Sequence, residues 1–221
     1  MKTLIIGASK GIGLEMVRQY GQAGAQVIAT ARSAEGINKI QALGAKALKL
    51  DVADPASVSG LARMLDGEKI DLAIYVAGVY CEGDATASPS QAVFDNTMHA
   101  NVLGAMQVIP QVAPLVEAAK GKFIFISSEM GCITETSSSF GWTYRVSKAA
   151  LNMAVVAAQQ DYPQALMQPL HPGWVRTDMG GSNAHLSMEE SVTAMRSTID
   201  GVSASQRGKF LNYDGRAFSG W

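Results

Sequence analysis

Cysteine is nearly missing from this chain of 221 residues. Only Cys81 and Cys132 occur, without metal-ligand spacing, which fits a reducing compartment and does not favour a structural disulfide between them. A basic surplus is also lacking. Eighteen Lys and Arg against 19 Asp and Glu leave a formal net charge of −1, and no dense Lys/Arg run appears, so no nucleic-acid partner is expected. No apolar run approaches membrane-spanning length, and "MKTLIIGASKG" holds too few apolar residues before Gly7 for a signal-peptide core. The expectations are no membrane partner and a cytoplasmic location. His99, His171 and His185 are too scattered to form a metal site, and none is expected. There is no repeat, low-complexity tract or linker, so residues 1–221 are read as a single domain.

What is present is an alternation. Short β-rich apolar runs occur at 3–7, 25–30, 45–51, 71–78, 122–128 and 165–172, with a last strand and turn in "GKFLNYDG". Segments of helical period lie between them near 12–23, 34–43, 55–65, 90–118 and 141–161. The strands are almost continuously apolar, as strands covered on both faces must be. The reading is an α/β fold, a doubly wound, mostly parallel sheet of about seven strands flanked by helices. Pro110 and Pro114 are expected to bend or break the fourth helix. "SMEE" offers Ser187 as N-cap with Glu190 three positions on, which predicts a further short helix.

"GASKGIG" places Gly7, Gly11 and Gly13 between the first strand and the first helix. Glycines there let the chain turn sharply and bring a ligand up to helix N-terminal amides, a seat for a pyrophosphate. The same letters contain G-x-S-x-G, which would make Ser9 a hydrolase nucleophile with His171 or His185 as base. That reading fails on order, since only six residues precede Gly7. The second strand ends in "ATARS", so Arg32 stands where an acid would grip a ribose diol, and Lys10 adds a second cation. Two cations and no acid favour NADP(H) over NAD(H). Asp51 ends the third strand, where its carboxylate could accept from an adenine amino group or simply cap a turn.

"YRVSK" sets a phenol and an ammonium one helical turn apart, Tyr144 and Lys148, so both can act on one object. With these residues in view the sequence resembles the short-chain dehydrogenase/reductase family over nearly its whole length. The glycine motif resembles Gly7, Gly11 and Gly13, and the Tyr-x-x-x-Lys pair resembles Tyr144 and Lys148. Asn101 resembles the family's Asn in the fourth helix, and Ser128 its Ser after the fifth strand. Pro172, Gly173 and Thr177 resemble its Pro-Gly-Thr after the sixth. "PGWVRTDMGG" and "YRVSKAALN" look most like C-factor-like proteins and Sniffer-type carbonyl reductases.

The resemblance implies a Rossmann fold and hydride transfer between NADP(H) and a carbonyl or alcohol substrate. Tyr144 would be the acid/base, with its pKa lowered by Lys148, which would also grip the nicotinamide ribose. Ser128 would bond the carbonyl oxygen, and Asn101 would hold a water for proton refill. Cofactor contacts are implied for Gly7, Ser9, Lys10, Gly11, Ile12, Gly13, Arg32, Asp51, Val52, Ala77, Gly78, Pro172, Gly173, Val175 and Thr177. Two departures stand out. Tyr75 and Val76 replace the family's paired Asn in "YVAG", and the gap from Ser128 to Tyr144 is long, which predicts an extended substrate-side loop. Trp142, Met130, Trp174 and Met179 are expected to line an apolar pocket, with Gly180 and Gly181 as hinges of a closing loop. Small residues at Ala149, Ala150, Ala154, Ala157 and Ala158, with Met153, predict a homodimer or homotetramer through the helix that carries Tyr144. C-factor-like relatives leave one alternative, a nucleotide-binding signalling protein with little turnover.

Overall fold

Val-, Ile- and Phe-rich runs become seven strands in a computed structural model that describes residues 1–221. They are β1 (Lys2–Ile6), β2 (Gln26–Ala31), β3 (Lys46–Lys49), β4 (Leu72–Tyr75), β5 (Lys122–Ile126), β6 (Leu166–His171) and β7 (Leu211–Asn212). All pairings are parallel, in the order β3-β2-β1-β4-β5-β6-β7. Strand order reverses between β1 and β4, and in such a sheet the crevice beyond the strand ends at that point receives ligands.

Helices cover both faces. On one, α1 (Gly11–Gln22), α2 (Ala34–Ala42) and α8 (Met188–Gly201) bury Met16, Val17, Tyr20, Ile40, Val192, Met195 and Ile199 against the sheet. On the other lie α3 (Pro55–Ser59), α4 (Leu61–Met64), α6 (Gly104–Ala118) and α7 (Trp142–Ala158), which bury Val58, Leu61, Val108, Val112, Leu151 and Val155. The capping box before α8 forms as expected, with Ser187 accepting from Glu190 N–H and the Glu190 carboxylate accepting from Ser187 N–H. No helix is long and apolar enough to cross a membrane.

Three expectations about elements change. The helix read at 55–65 divides at Gly60 into α3 and α4. The helix read at 90–118 becomes α5 (Gln91–Met98), a π-helical turn over His99–Leu103, and α6. Pro110 and Pro114 sit inside an unbroken α6 rather than ending it. Both prolines face solvent, as does Met106, so the Met106 and Pro110 carbonyls that lose their helical donors can be hydrated. Pro110→Ala restores one of those donors at no packing cost. It should raise stability by up to about 3 kcal/mol, read from denaturant unfolding midpoints.

Candidate active site

The glycine loop is shaped by contacts that leave no room for side chains. Gly7, at φ +90°, lies so close to the end of β4 that a Cβ would stand 2.6 Å from the Ala77 nitrogen. A Cβ on Gly13 would stand 2.3 Å from the Gly7 carbonyl oxygen. No side chain caps α1, so its first amides are free to meet an anion. Gly11, at φ +57°, faces the Thr177 methyl across the loop. Beyond β2, Arg32 is exposed and has no ion-pair partner, whereas Lys10 holds the Asp178 carboxylate at 2.7 Å. These groups border a cavity of about 850 Å³ that runs on to Asp51, Val52, Ala77, Gly78, Tyr144, Lys148, Pro172 and Thr177. The cradle fits a dinucleotide: two glycines no other residue could replace, uncapped helix amides, and an open guanidinium where a 2′-phosphate would end.

At the other end of the cavity, α7 presents Tyr144 and Lys148, both buried. The Lys148 ammonium donates to the Ile126 carbonyl at the end of β5 (3.0 Å) and lies 5.6 Å from the centre of the Tyr144 ring. Burial pulls its pKa down to about 8. Burial likewise pushes the Tyr144 phenol up, and the nearby Ser128 hydroxyl works the other way. The expected lowering of the phenol by Lys148 is therefore not what this geometry produces, because the ammonium points at a backbone carbonyl and desolvation outweighs the rest.

The turn after β5 separates its two serines by role. Ser127 donates to the Asn152 side chain at 2.6 Å, so its hydroxyl is spent. Ser128 accepts from Met130 N–H at 3.2 Å, lies near Tyr144 and spends its proton on no other side chain. His171 braces the same turn, its Nδ1 accepting from Glu129 N–H at 3.1 Å while burial lowers its pKa to about 4. A Cβ on Gly131 would collide with the Lys148 backbone and Cβ at 2.7 Å, so the turn is seated directly on α7.

The short chain dehydrogenase family model matches residues 2–186. The chain belongs to the short-chain dehydrogenase/reductase family. It is 36% identical over 143 residues to C-signal of Myxococcus xanthus, covering 63% of this chain and 84% of that protein. The solved carbonyl reductase Sniffer of D. melanogaster superposes with a TM-score of 0.92 at 28% identity, covering 100% and 99% of the two chains. A Burkholderia multivorans structure with bound NADP superposes at 0.87 and 31% identity, covering 98% and 97%.

As a short-chain dehydrogenase/reductase the chain is an oxidoreductase, and several of its residues depart from the family-based expectations. Asn101 ties its side chain to protein neighbours: Oδ1 accepts from Val79 N–H (2.7 Å), and Nδ2 donates to the Val79 carbonyl (2.9 Å) and Ser147 Oγ (3.0 Å). Asp51 spends one carboxylate oxygen on Ala53 N–H, the turn role that competed with adenine. Gly173 and Val175 do not border the cavity; Gly173 makes room for Leu186 and Tyr213, and Val175 pairs with Leu186. Thr177 does border it, though its hydroxyl accepts from Gly180 N–H at 3.0 Å.

The apolar wall is also different. Of the four residues expected there, only Met179 reaches the cavity, with its sulfur 4.0 Å from the Tyr144 hydroxyl. Trp174 turns aside to donate to the Gly180 carbonyl, and Trp142 is exposed at the start of α7. Tyr80 takes their place, packed edge-on against Tyr144 at 5.0 Å between ring centres. A Cβ on Gly180 would stand 2.0 Å from the Val175 carbonyl oxygen, so that glycine is a tight-packing site and not a free hinge. The long stretch before α7 is a loop, tied down by Thr134 N–H to the Trp221 carbonyl and by Gly141 N–H to the Gly83 carbonyl. Cys81 and Cys132 are free thiols.

The buried ammonium sets a pH signature. Below about 8 both folded and unfolded chains hold the Lys148 proton, and the burial penalty is in full force. Between that value and the ordinary 10.5 the unfolded chain binds more protons, so stability rises with pH. Lys148→Met should raise stability at pH 7 by roughly 3 kcal/mol at most, and the thermal midpoint with it, and the gain should shrink across that window. Melting curves of both proteins at several pH values check this.

Proposed function

We propose that this oxidoreductase is an NADP(H)-dependent carbonyl reductase or alcohol dehydrogenase acting on an apolar carbonyl or alcohol. The observation that carries the reading is Tyr144 and Lys148 together at the inner end of a cavity whose outer end offers Arg32, with Ser128 beside Tyr144 just outside its lining. The likeness to the carbonyl reductase Sniffer and to a structure holding NADP supports it. NADPH, when bound, supplies the hydride. Gly7, Ser9, Gly11, Ile12 and Gly13 would seat its pyrophosphate on α1, and Arg32 its 2′-phosphate. Lys10 would join them on leaving Asp178, and the Lys148 ammonium would hold a ribose hydroxyl. Tyr144 would give its phenolic proton to the carbonyl oxygen as charge builds there, with the Ser128 hydroxyl donating to the same atom.

We assign the protein to the cytoplasm, in keeping with its two free thiols, and to a homodimer or homotetramer. The support for assembly is the run of exposed apolar side chains, Leu103 and Met106 before and on α6 and Val146 and Met153 on α7, of which Met153 is 69% exposed. A nucleotide-binding signalling protein is the second reading, favoured by the likeness to C-signal. A pure binder has no use for a phenol held beside Ser128.

Consumption of NADPH over a panel of ketones, aldehydes and quinones distinguishes the two. Tyr144→Phe should lower kcat by about 100-fold or more while NADPH still binds. Loss of nothing in that variant would favour the signalling reading. Arg32→Ala should weaken NADPH relative to NADH by roughly 10- to 100-fold in KM, the loss of a charge-assisted contact.

A further inference from the structure

Tyr75 ends β4 with its side chain wholly buried, in a place where the sequence departs from its family's amide pair. Its hydroxyl donates to the Ala100 carbonyl at 3.1 Å. Ala100 precedes Asn101 in the π-helical turn, and such turns loosen the helical ladder so that main-chain groups take partners from outside. Space for the hydroxyl comes from Gly104, the first residue of α6. A Cβ there would lie 2.9 Å from the Tyr75 oxygen and 2.7 Å from the Val52 carbonyl oxygen. The large residue at 75 and the missing side chain at 104 are thus two halves of one fit.

From this turn a continuous hydrogen-bond path leads to the catalytic helix. Asn101 grips both main-chain groups of Val79 and donates to Ser147 Oγ, which in turn donates to the Tyr144 carbonyl at 2.7 Å. Val79 precedes Tyr80, the ring packed on Tyr144. We propose that Tyr75 is a positioning residue: its hydroxyl sets the π turn so that Asn101 can lock the Val79 loop and the Tyr144 helix in register. The proposal rests on the reading of Tyr144 as proton donor only where turnover is concerned.

Tyr75→Phe keeps the ring that stacks on Phe125 and removes only the hydroxyl. The test compares wild type, Tyr75→Phe, Asn101→Ala and the double variant by hydrogen exchange and by kcat on the best carbonyl of the panel. In Tyr75→Phe, exchange at Val79 N–H and across 99–105 should quicken by roughly fivefold to tenfold, with β2 amides unmoved and kcat falling by a similar factor at unchanged KM for NADPH. The double variant should match Asn101→Ala alone in both readouts. Gly104→Ala, which crowds the hydroxyl out, should give the same local exchange pattern. Uniformly faster exchange over the chain, no change at Val79, or effects of the two substitutions that simply add would overturn the proposal. If wild type turns over no carbonyl, the catalytic reading fails, and exchange at Val79 still decides whether Tyr75 acts through Asn101.

Discussion

The ammonium of Lys148 is a charge kept inside the protein, and much of the surrounding structure follows from holding it there. A buried cation must find acceptors, and the Ile126 carbonyl at the end of β5 is the one it has. That bond ties the middle of α7 to the central sheet. It also fixes where the next five residues go, because the turn through Gly131 must then lie against the Lys148 backbone without a side chain between. Ser127 anchors the turn to Asn152 one helical turn further along α7, and His171 anchors it to β6. Ser128 is left as the hydroxyl that is held in place and still free to donate. The site is thus organised by a group that is unfavourable for folding, as is common where pKa values are shifted for chemistry.

Around the outer end of the cavity the electrostatics are of another kind. Lys10 and Asp178 are both largely exposed, so their ion pair adds little to stability, yet it joins the glycine loop to the segment after β6. Arg32 stands nearby without a carboxylate. An incoming polyanion would meet one free cation and one that is only loosely held.

Much of this was legible in the sequence. The strands were plain because burial on both faces makes them apolar throughout, and the glycine loop, Tyr144 and Lys148 were plain because their spacing is itself the chemistry. What escaped was set by tertiary contacts. Pro110 and Pro114 keep their helix because they fall on its wet face, a fact of orientation and not of composition. The choice between Ser127 and Ser128 turns on the distant Asn152, although that residue was visible one turn after Lys148 in "SKAALN". The tryptophans expected in the pocket wall are diverted by a single hydrogen bond and by exposure, and Tyr80 enters from a loop with no periodicity to mark it. The meaning of Tyr75 could not be seen until Gly104 was found beside it.

The strand order carries a consequence for how the chain is made. β1 pairs with β2 at once, but its other neighbour, β4, begins only at Leu72, after three further helices and a strand. Until then the edge of β1 that will become the middle of the sheet lies open, with apolar Leu4, Ile5 and Ile6 beside unpaired backbone. The half-sheet emerging from the ribosome is therefore sticky on the side that the finished protein hides best. Closing it requires a long-range parallel pairing, the slow kind. In the cell, the passage from residue 31 to residue 72 is the interval in which this protein most needs protection from its neighbours.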